Sequence, residues 1–572
     1  MYETAEEQLK DFQEIADFQE KLLNIDFSDS NNAISLFDEV LNSSLLKSKW
    51  TFRSILVSIY TCFLCRPHSN LDYVNLFIKF AQLPENPFKS DDYVLSFTNC
   101  YFIYQLYKEG LVTIDSIHSN SHRKEEMLVY FYPELKQNFP NSPLFKVQKR
   151  INYTNYDKIK QYVIDYYQSL TQKPIFNQNN PIKEESEKNE NQFDEQSIFE
   201  KFIELRSIGH NPDPIATAIR SDDVDKMQKI FSQTNMPYDN TLKFSPFESC
   251  NYANNSFDLP TFIEYAAYFG SLKCFKFLYQ QIPTLPTKTS RYAIAGGNYE
   301  IIHLCELGKA EFDADCYNLA IRFFRNEIVD YLEENLGFEK NISSASKSIV
   351  FYNLGQLISH KDVISKNPNE KDETGYTLLS LACLNGDLDI VNYLLTTFSD
   401  KININEQNTS KNRPLYYASA AGHLEIIKFL ASNQQIDINA PNSGNYTALH
   451  CAAEKGHLNV VKYLCSLPNI DINCDCGRNF RPIDDAVLNG NMDIILYLIS
   501  LPNIIIYHDS EYPTILQNAV YSRRLDIVEL VFQLVDKLED MKKLNESIYK
   551  AQENARTGGM EDIQHFLEKF EN

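Results

Sequence analysis

Glycine is scarce in this chain, at 17 of 572 residues, which is less than half of the usual share of about 7%. A chain so poor in glycine offers few of the Gly-rich loops that hold phosphate groups in nucleotide-binding enzymes. The pair Gly296-Gly297 has no strand pattern before it and no Gly-Lys-Ser/Thr after it. Leu, Ile and Tyr are abundant instead, and the composition favours a mostly helical protein.

Positive charge is also in short supply. Lys and Arg number 54 against 77 Asp and Glu, which gives a net charge of −23 at pH 7. A surface of that sign repels phosphate groups, so nucleic-acid binding and attachment to anionic membranes are not expected. The same charge favours a basic protein partner over an acidic one.

Long apolar runs and a basic leader are missing too. The most apolar stretch, residues 55–65, has 11 residues, whereas about 20 are needed to span a bilayer. The first residues, MYETAEEQLKDFQE, are acidic and do not have the pattern of a secretory signal. The 12 cysteines are too dilute for a disulfide framework. We therefore expect an intracellular, cytoplasmic protein with free thiols.

What the sequence does contain is a repeated segment. Four copies align around a central glycine, with spacings of 36, 34 and 34 residues. Two weaker copies follow, in which Arg523 and Gly559 take the glycine position. Such a period predicts an array of small units that stack on one another. The aligned glycines of the four strong copies are Gly386, Gly422, Gly456 and Gly490.

Each part of the repeated pattern has a structural reason. Small Ala residues let the first helix lie close to its neighbour, and glycine ends that helix in a left-handed conformation. A run of Ile, Val and Leu then gives the second helix an apolar face. The alternating piece Ile402-Asn403-Ile404-Asn405 follows, and its period of two predicts short extended arms that lead to a turn.

The repeated pattern resembles the ankyrin repeat. In the third copy, Thr447-Ala448-Leu449-His450 followed by Gly456-His457 matches the family motif. Ser380 and Asp484 replace the motif His in the first and fourth copies, which implies a weaker Thr–His turn network there. The resemblance covers residues 373–508. It implies an all-α solenoid of helix pairs joined by short β-hairpin loops, and a protein-binding role.

The period continues upstream in a shortened form. The equivalent positions Gly270, Gly297 and Phe324 lie 27 residues apart. Copies that are six or seven residues shorter predict helix pairs stacked without the hairpin. Residues 347–372 are expected to carry a bridging pair.

The upstream region has a resemblance of its own. Residues 263–267, 270–276 and 292–297 are similar to the uncharacterised segment that precedes ankyrin repeats in large protein families of flagellate protist parasites, the trichomonads among them. Those families are known as ankyrin-repeat proteins and little more. The resemblance therefore implies an architecture and no activity.

Composition divides the chain into further parts. Residues 1–170 are rich in Phe, Tyr and Leu with helical periodicity, and they predict a helical N-terminal module. Residues 171–198 are dense in Asn, Gln, Glu and Lys, which is typical of a flexible polar linker. The remaining predicted domains are degenerate helix-pair repeats at 199–372, four ankyrin repeats at 373–508 and degenerate C-terminal repeats at 509–572.

Two cysteine motifs are candidate metal sites by their spacing. Cys62-x-x-Cys65 lies in an apolar helical stretch and lacks the further ligands that zinc needs, so core packing is favoured. Cys474-x-Cys476 is expected on a hairpin arm, where a metal would need ligands from the hairpin loops of two neighbouring repeats. His450 is interpreted as structural, with a ring that links backbone groups of adjacent repeats. We predict no metal, no cofactor and no catalytic residues.

The functional signal that remains is a set of side chains that the scaffold does not need. In an ankyrin stack, the hairpin tips and the exposed side of the first helices form one concave groove. Tyr, Phe, Arg and Asn at such places are typical of protein–protein contacts. The tip candidates are Asn412, Asn445, Tyr446, Arg478 and Phe480, and the first-helix candidates are Tyr417, Glu454, Lys455 and Asp485.

The sequence thus favours a non-enzymatic scaffold or adaptor that binds a basic protein partner in the groove of residues 373–508. Two alternatives stay open. The chain could be the substrate-recognition adaptor of a ubiquitin-ligase-type complex, or an enzyme with an unrecognised site in residues 1–170. The partner's identity and the oligomeric state are not determined by the sequence.

Overall fold

The computed structural model describes two compact, mainly helical units. The N-terminal unit is residues 14–339, and the C-terminal unit is residues 340–572 together with residues 1–13. The predicted linker, residues 171–198, and the candidate Arg478 lie outside the described residues. The structure describes residues 5–43, 45–46, 49–66, 69–97, 99–120, 131, 134–135, 138, 204, 206, 209–243, 245, 248, 250, 252, 259–476, 480–506, 515–535 and 541–570.

Helices dominate both units, which confirms the predicted all-α fold. None of the helices in these ranges combines the length and the hydropathy that a bilayer crossing requires. The helices of the first 339 residues are α1 (Ala5–Leu23), α2 (Ser30–Leu41), α3 (Lys49–Cys65), α4 (Asn70–Ala81), α5 (Ser90–Ser96), α6 (Cys100–Lys108), α7 (Ile114–Asn120), α8 (Pro214–Arg220), α9 (Val224–Thr234), α10 (Phe262–Tyr268), α11 (Leu272–Gln281), α12 (Thr289–Gly296), α13 (Tyr299–Leu307), α14 (Ala314–Arg322) and α15 (Asn326–Leu336).

The C-terminal unit continues as helix pairs. Its helices are α16 (Ile342–Val350), α17 (Leu354–Ser359), α18 (Lys361–Lys366), α19 (Leu378–Asn385), α20 (Leu388–Thr397), α21 (Pro414–Ala421), α22 (Leu424–Ala431), α23 (Ala448–Lys455), α24 (Leu458–Ser466), α25 (Pro482–Leu488), α26 (Met492–Ile499), α27 (Ile515–Tyr521), α28 (Leu525–Val535), α29 (Met541–Thr557) and α30 (Glu561–Glu568). Residues 347–372, where a bridging pair was expected, contain the end of α16 and the short helices α17 and α18.

Each repeat turns between its two helices at a residue with a left-handed backbone. The prediction holds at the glycines and also at two equivalent positions that are not glycine, Phe324 and Arg523, whose φ angles are 53° and 59°. The turn is therefore set by the helix pair around it and not by the presence of glycine. The aligned glycines with φ between 65° and 86° are Gly270, Gly297, Gly386, Gly422, Gly456, Gly490 and Gly559.

Replacing Arg523 by Gly is expected to stabilise the helix pair α27–α28 by about 0.5–1 kcal/mol, because an exposed side chain with positive φ carries a steric cost that glycine avoids. Hydrogen exchange of residues 515–535 measures the change. Phe324→Gly is the contrasting variant: its ring is buried, so its loss should destabilise the N-terminal unit. Faster exchange in Arg523→Gly than in the parent chain would contradict the expectation.

The N-terminal unit joins the predicted helical module to the shortened repeats. Arg66, at the end of α3, donates from Nη1 to the carbonyl oxygen of Phe323 at 2.9 Å, just past the end of α14. The Cys65 thiol donates to the carbonyl oxygen of Arg322 at 3.2 Å. Carbonyl groups at a helix end have no partner within the helix. The module thus supplies these partners, and the two parts form a single unit.

Glu248 is a second junction in the N-terminal unit. Its carboxylate is buried and accepts hydrogen bonds from the Arg220 guanidinium at 3.0 and 3.2 Å and from the Tyr265 hydroxyl at 2.9 Å. The backbone N–H groups of Asn211 and Cys250 also donate to it, each at 3.2 Å. A buried charge is tolerated when it is paired and hydrogen-bonded in this way. Glu248 thereby ties α8 and α10 to the surrounding loops.

At four successive junctions of the C-terminal unit, one asparagine clamps a repeat to the backbone of the next. Asn405, for example, donates to the carbonyl oxygen of Gln435 at 2.7 Å and accepts from the N–H of Asp437 at 3.0 Å. Asn369, Asn439 and Asn473 make the same two bonds at 2.7–2.9 Å. We call these four residues the asparagine clamps.

The clamps correct one expectation. The alternating Ile-Asn pieces were predicted to be extended arms of β-hairpins, but Ile404 and Asn405 form a turn. In the described residues the only ladder pairings are the isolated bridges Thr241–Thr261 and Lys371–Thr377. The alternation has another cause, since Ile404 is buried in the core while Asn405 reaches the next repeat.

Histidines that follow the glycines form a second set of links. The Nε2 atoms of His423 and His457 lie 3.0 Å from the carbonyl oxygens of Leu384 and Ala420, at the end of the preceding first helix. The ring of His423 lies so close to Gly386 that a Cβ atom there would be 2.5 Å from it. Glycine is needed at this position for close approach as well as for its backbone conformation.

Candidate partner-binding surface

The loops that precede the first helices end in four matching turns. In each, the N–H of the first residue donates to the carbonyl oxygen of the fifth, at 2.8–3.1 Å. The turns recur at spacings of 36, 34 and 34 residues, so each repeat presents one. We call them tip turns; they comprise residues 372–376, 408–412 and 442–446, and a fourth of which only the bond between Cys476 and Phe480 is described.

Side chains hold three of the four tip turns in shape. The Oδ1 atom of Asn442 accepts from the N–H groups of Gly444 at 2.8 Å and Tyr446 at 3.0 Å. Asp372 and Asn408 do the same in their own turns, at 2.8–3.0 Å. Asx side chains stabilise turns in this way. Cys476 occupies the equivalent position in the fourth turn, where a thiol is a much weaker acceptor.

The tip candidates occupy matching places in these turns. Asn412, Tyr446 and Phe480 are each the fifth residue of a turn, and all three are partly exposed. Asn445 is the fourth residue of its turn, with φ of 60° and an exposed side chain. The sequence analysis did not select Tyr376, which is the fifth residue of the first turn and is also partly exposed. Its position, 36 residues before Asn412 in the repeat alignment, is the signal that could have identified it.

Neighbouring tips are bonded to each other. The Asn442 amide donates to the Oδ1 atom of Asn412 at 2.9 Å, and the N–H of Ser443 donates to the carbonyl oxygen of Ser410 at 3.0 Å. The Arg413 guanidinium donates to the carbonyl oxygen of Pro441 at 2.7 Å. The second and third tip turns therefore form one continuous surface with a fixed spacing.

Tyr417 is not exposed, and the expectation that it lines an open surface was wrong. It is 6% exposed, and its hydroxyl accepts hydrogen bonds from the amides of Asn408 at 2.6 Å and Asn412 at 3.2 Å. Its ring centroid lies 5.2 Å from that of Tyr376. Tyr417 supports the tip turns from beneath instead of presenting itself to a partner.

Asp485 is likewise buried, contrary to expectation, at 2% exposure. Its Oδ2 atom has no hydrogen-bond partner among the described residues. Burial, together with repulsion from Glu454 and Asp484, raises the pKa of the Asp485 carboxyl to about 9. The group therefore holds its proton at neutral pH.

The acidic surroundings of Asp485 come from the neighbouring repeat. Glu454, at the end of α23, pairs with Lys455 at 2.8 Å, and both side chains reach solvent. Burial and then repulsion from Asp485 raise the pKa of the Tyr446 hydroxyl above its usual value. Burial and then the same carboxyl raise the pKa of the Cys476 thiol to about 11. Asp485 thus acts electrostatically on groups of both the third and the fourth repeat.

His450 plays the structural role that was predicted for it. Its Nδ1 atom accepts from the N–H of Thr447 at 3.3 Å, so the Nε2–H group donates to the carbonyl oxygen of Phe480 in the next repeat at 3.2 Å. Burial lowers the pKa of His450 below its usual value. In the first copy, the Thr377 hydroxyl donates to the Ser380 hydroxyl at 2.9 Å. In the fourth copy, the Asp484 carboxylate accepts from the N–H of Arg481 at 3.0 Å.

The cysteine motifs give no metal site in the described residues. Cys62 and Cys65 are both buried in the core, as predicted. Cys474 and Cys476 are partly exposed, and the Cys474 thiol lies 3.4 Å from the Thr447 hydroxyl. Across the ranges that the structure describes, no three His, Cys, Asp or Glu side chains are arranged to hold a metal ion.

Comparison with known families now adds to this geometry. The family model described as "Ankyrin repeats (3 copies)" matches residues 345–442, 397–476 and 437–507. The model described as "Domain of unknown function (DUF3447)" matches residues 283–360. No curated protein matches the chain. Ankyrin repeats are generally protein–protein interaction modules, and both families are typically non-catalytic.

Proposed function

We propose that this chain, in which ankyrin repeats follow a domain of unknown function, is a non-enzymatic scaffold or adaptor. In this proposal, a protein partner binds along the tip turns and first helices of residues 373–508. The observation that carries the proposal is the row of partly exposed residues at one-repeat spacing on bonded turns. Side-chain hydrogen bonds already hold the first three turns in shape, so little conformational entropy opposes binding there.

Charge supports a basic partner. The chain carries a net charge of −23, and the first helices of the third and fourth repeats bring the carboxyl groups of Glu454 and Asp484 near the protonated carboxyl of Asp485. Among the described groups that act on Asp485, Lys455 is the cation, and it is already paired with Glu454. Opposite charge on a partner would speed its association and fix its orientation.

The test is affinity purification with the full-length chain as bait. A variant carrying Asn445→Ala, Tyr446→Ala and Glu454→Ala should lose the partner, because truncating central contact residues typically costs tenfold or more in affinity. The matched control carries Lys428→Ala and Lys462→Ala, which alter exposed residues of the second helices. A partner kept by the control and lost by the tip variant supports the proposal. A partner retained equally by all three baits would contradict it.

A further inference from the structure

Asp485 is an unusual residue for a scaffold to bury. A carboxyl that is almost fully enclosed normally has hydrogen-bond donors for both oxygens, because an unsatisfied buried polar group costs about 1–3 kcal/mol. The Oδ2 atom of Asp485 has none among the described residues. The neighbouring Asp484 shows the ordinary arrangement, with the N–H of Arg481 at 3.0 Å and the amide of Asn518 at 3.2 Å.

The charged and titratable groups that interact electrostatically with Asp485 come from two repeats, whose first helices α23 and α25 pack against each other. Glu454, Lys455 and Cys451 belong to α23 of the third repeat, and Tyr446 to its tip turn. Asp484 and Cys476 belong to the fourth repeat, as Asp485 does. From α27, which packs on the other side, the described contact is Asn518 with Asp484. Asp485 thus lies on α25 at the seam where this helix packs against α23 of the third repeat, near enough to act electrostatically on Tyr446.

Among the described groups that act on Asp485, the carboxylates of Glu454 and Asp484 outnumber the one cation, Lys455. Lys455 pairs with Glu454, and its side chain is 52% exposed, so it can move aside at little cost. The aromatic ring of Tyr446 can add a cation–π interaction. A free acceptor oxygen, a second carboxylate and an aromatic ring are the partners that a Lys or Arg side chain requires.

We infer that the seam around Asp485, Glu454 and Tyr446 is a receptor for one Lys or Arg side chain of a basic segment in a protein partner. The inference rests on the proposed function and specifies where the partner is anchored. In the free chain Asp485 is held neutral. When the cation enters, Asp485 gives up its proton to solvent and forms an ion pair through Oδ2. Binding is therefore coupled to the release of up to one proton, and it strengthens as the pH rises from 7 towards 9.

The experiment uses a random dodecapeptide display library selected on the full-length chain at pH 8. We expect the selected peptides to share a single Lys or Arg. Asp485→Asn should weaken the affinity for these peptides by about 30-fold or more. Replacing the peptide Arg by the neutral isostere citrulline should weaken the affinity by the same factor. Asp437→Asn, which removes an exposed carboxylate of the same array, should change the affinity less than twofold.

Proton release distinguishes an anchoring role from a structural one. Calorimetric titration at pH 7 in two buffers of different ionisation enthalpy should show release of up to one proton with the parent chain and none with Asp485→Asn. Affinity should rise up to about tenfold per pH unit in the parent chain and stay flat in that variant.

The outcomes separate the inference from the function on which it rests. If Tyr446→Ala abolishes peptide binding, but Asp485→Asn and the citrulline replacement leave the affinity unchanged, the cation receptor is overturned and the proposed function still stands. Peptides that are indifferent to both variants, or a selection that yields no binder, would count against the proposed function and the receptor together.

Discussion

Replacing Asp485 by Asn is expected to make the free protein more stable at neutral pH, by up to about 4 kcal/mol. The reason is that the folded chain holds the carboxyl protonated up to a pKa of about 9, whereas in the unfolded chain the group ionises near its ordinary value of 3.8. Asn has the same shape and no proton to lose. The variant avoids the cost that the parent chain bears between these two pH values.

The sign of the effect follows from that raised pKa. The contribution of Asp485 to stability is fully present below about pH 4 and is lost as the pH rises towards 9, because the unfolded chain binds fewer protons over this interval. The stability difference between Asp485→Asn and the parent should therefore be small near pH 4 and should grow with pH.

Urea denaturation monitored by hydrogen exchange in residues 448–499, at several pH values, measures this difference. Asp437→Asn serves as the control, since an exposed substitution should shift stability by no more than about 0.5 kcal/mol at any of them. An Asp485→Asn variant that is less stable than the parent at pH 7, or whose advantage does not depend on pH, would contradict the assignment of a buried neutral carboxyl.

The second large effect is expected at Glu248 in the N-terminal unit. Glu248→Gln should destabilise that unit by about 3–5 kcal/mol, because it removes the opposite charge that pairs with the buried Arg220 guanidinium at 3.0 Å. Gln also presents an NH₂ group to donors that need acceptors. The five hydrogen bonds that converge on the Glu248 carboxylate cannot all be retained.

Hydrogen exchange of the full-length chain would locate this loss. Protection should fall in α8 and α10 of Glu248→Gln. The matched control is Glu300→Gln, which alters an exposed carboxylate of the same unit that pairs only with a surface lysine in the described contacts; its effect should stay within about 1 kcal/mol. Equal protection in Glu248→Gln and the parent would show that the buried pair is not needed to hold the unit together.

The sequence predicted the repeating fold well because that fold depends on local signals. A glycine position, an Ala-rich first helix and an apolar second helix recur at a fixed period, and each is visible in a single copy. The prediction extended even to Phe324 and Arg523, whose backbone is left-handed although neither is glycine. The linker at 171–198 and the domain bounds remain predictions.

The sequence could not reveal which groups the polar side chains contact, or whether they are buried. Asn405 and Asn445 look equally adaptable in the sequence, yet the first clamps the next repeat and the second is exposed on a tip. Tyr417 and Asp485 were expected at the surface, and both are buried. Their burial depends on how adjacent repeats pack, and that packing is not encoded within any one copy of the pattern.

The asparagine clamps have a consequence for the history of such a protein. Each clamp binds an N–H and a carbonyl group of the following repeat, which every residue except proline provides. The contact between two repeats therefore does not depend on which side chains the following repeat carries at these positions. Unequal recombination could add or delete a whole copy, and the new neighbours would engage without any compensating mutation. Residues on the tips are then free to diversify while the array that carries them is lengthened or shortened.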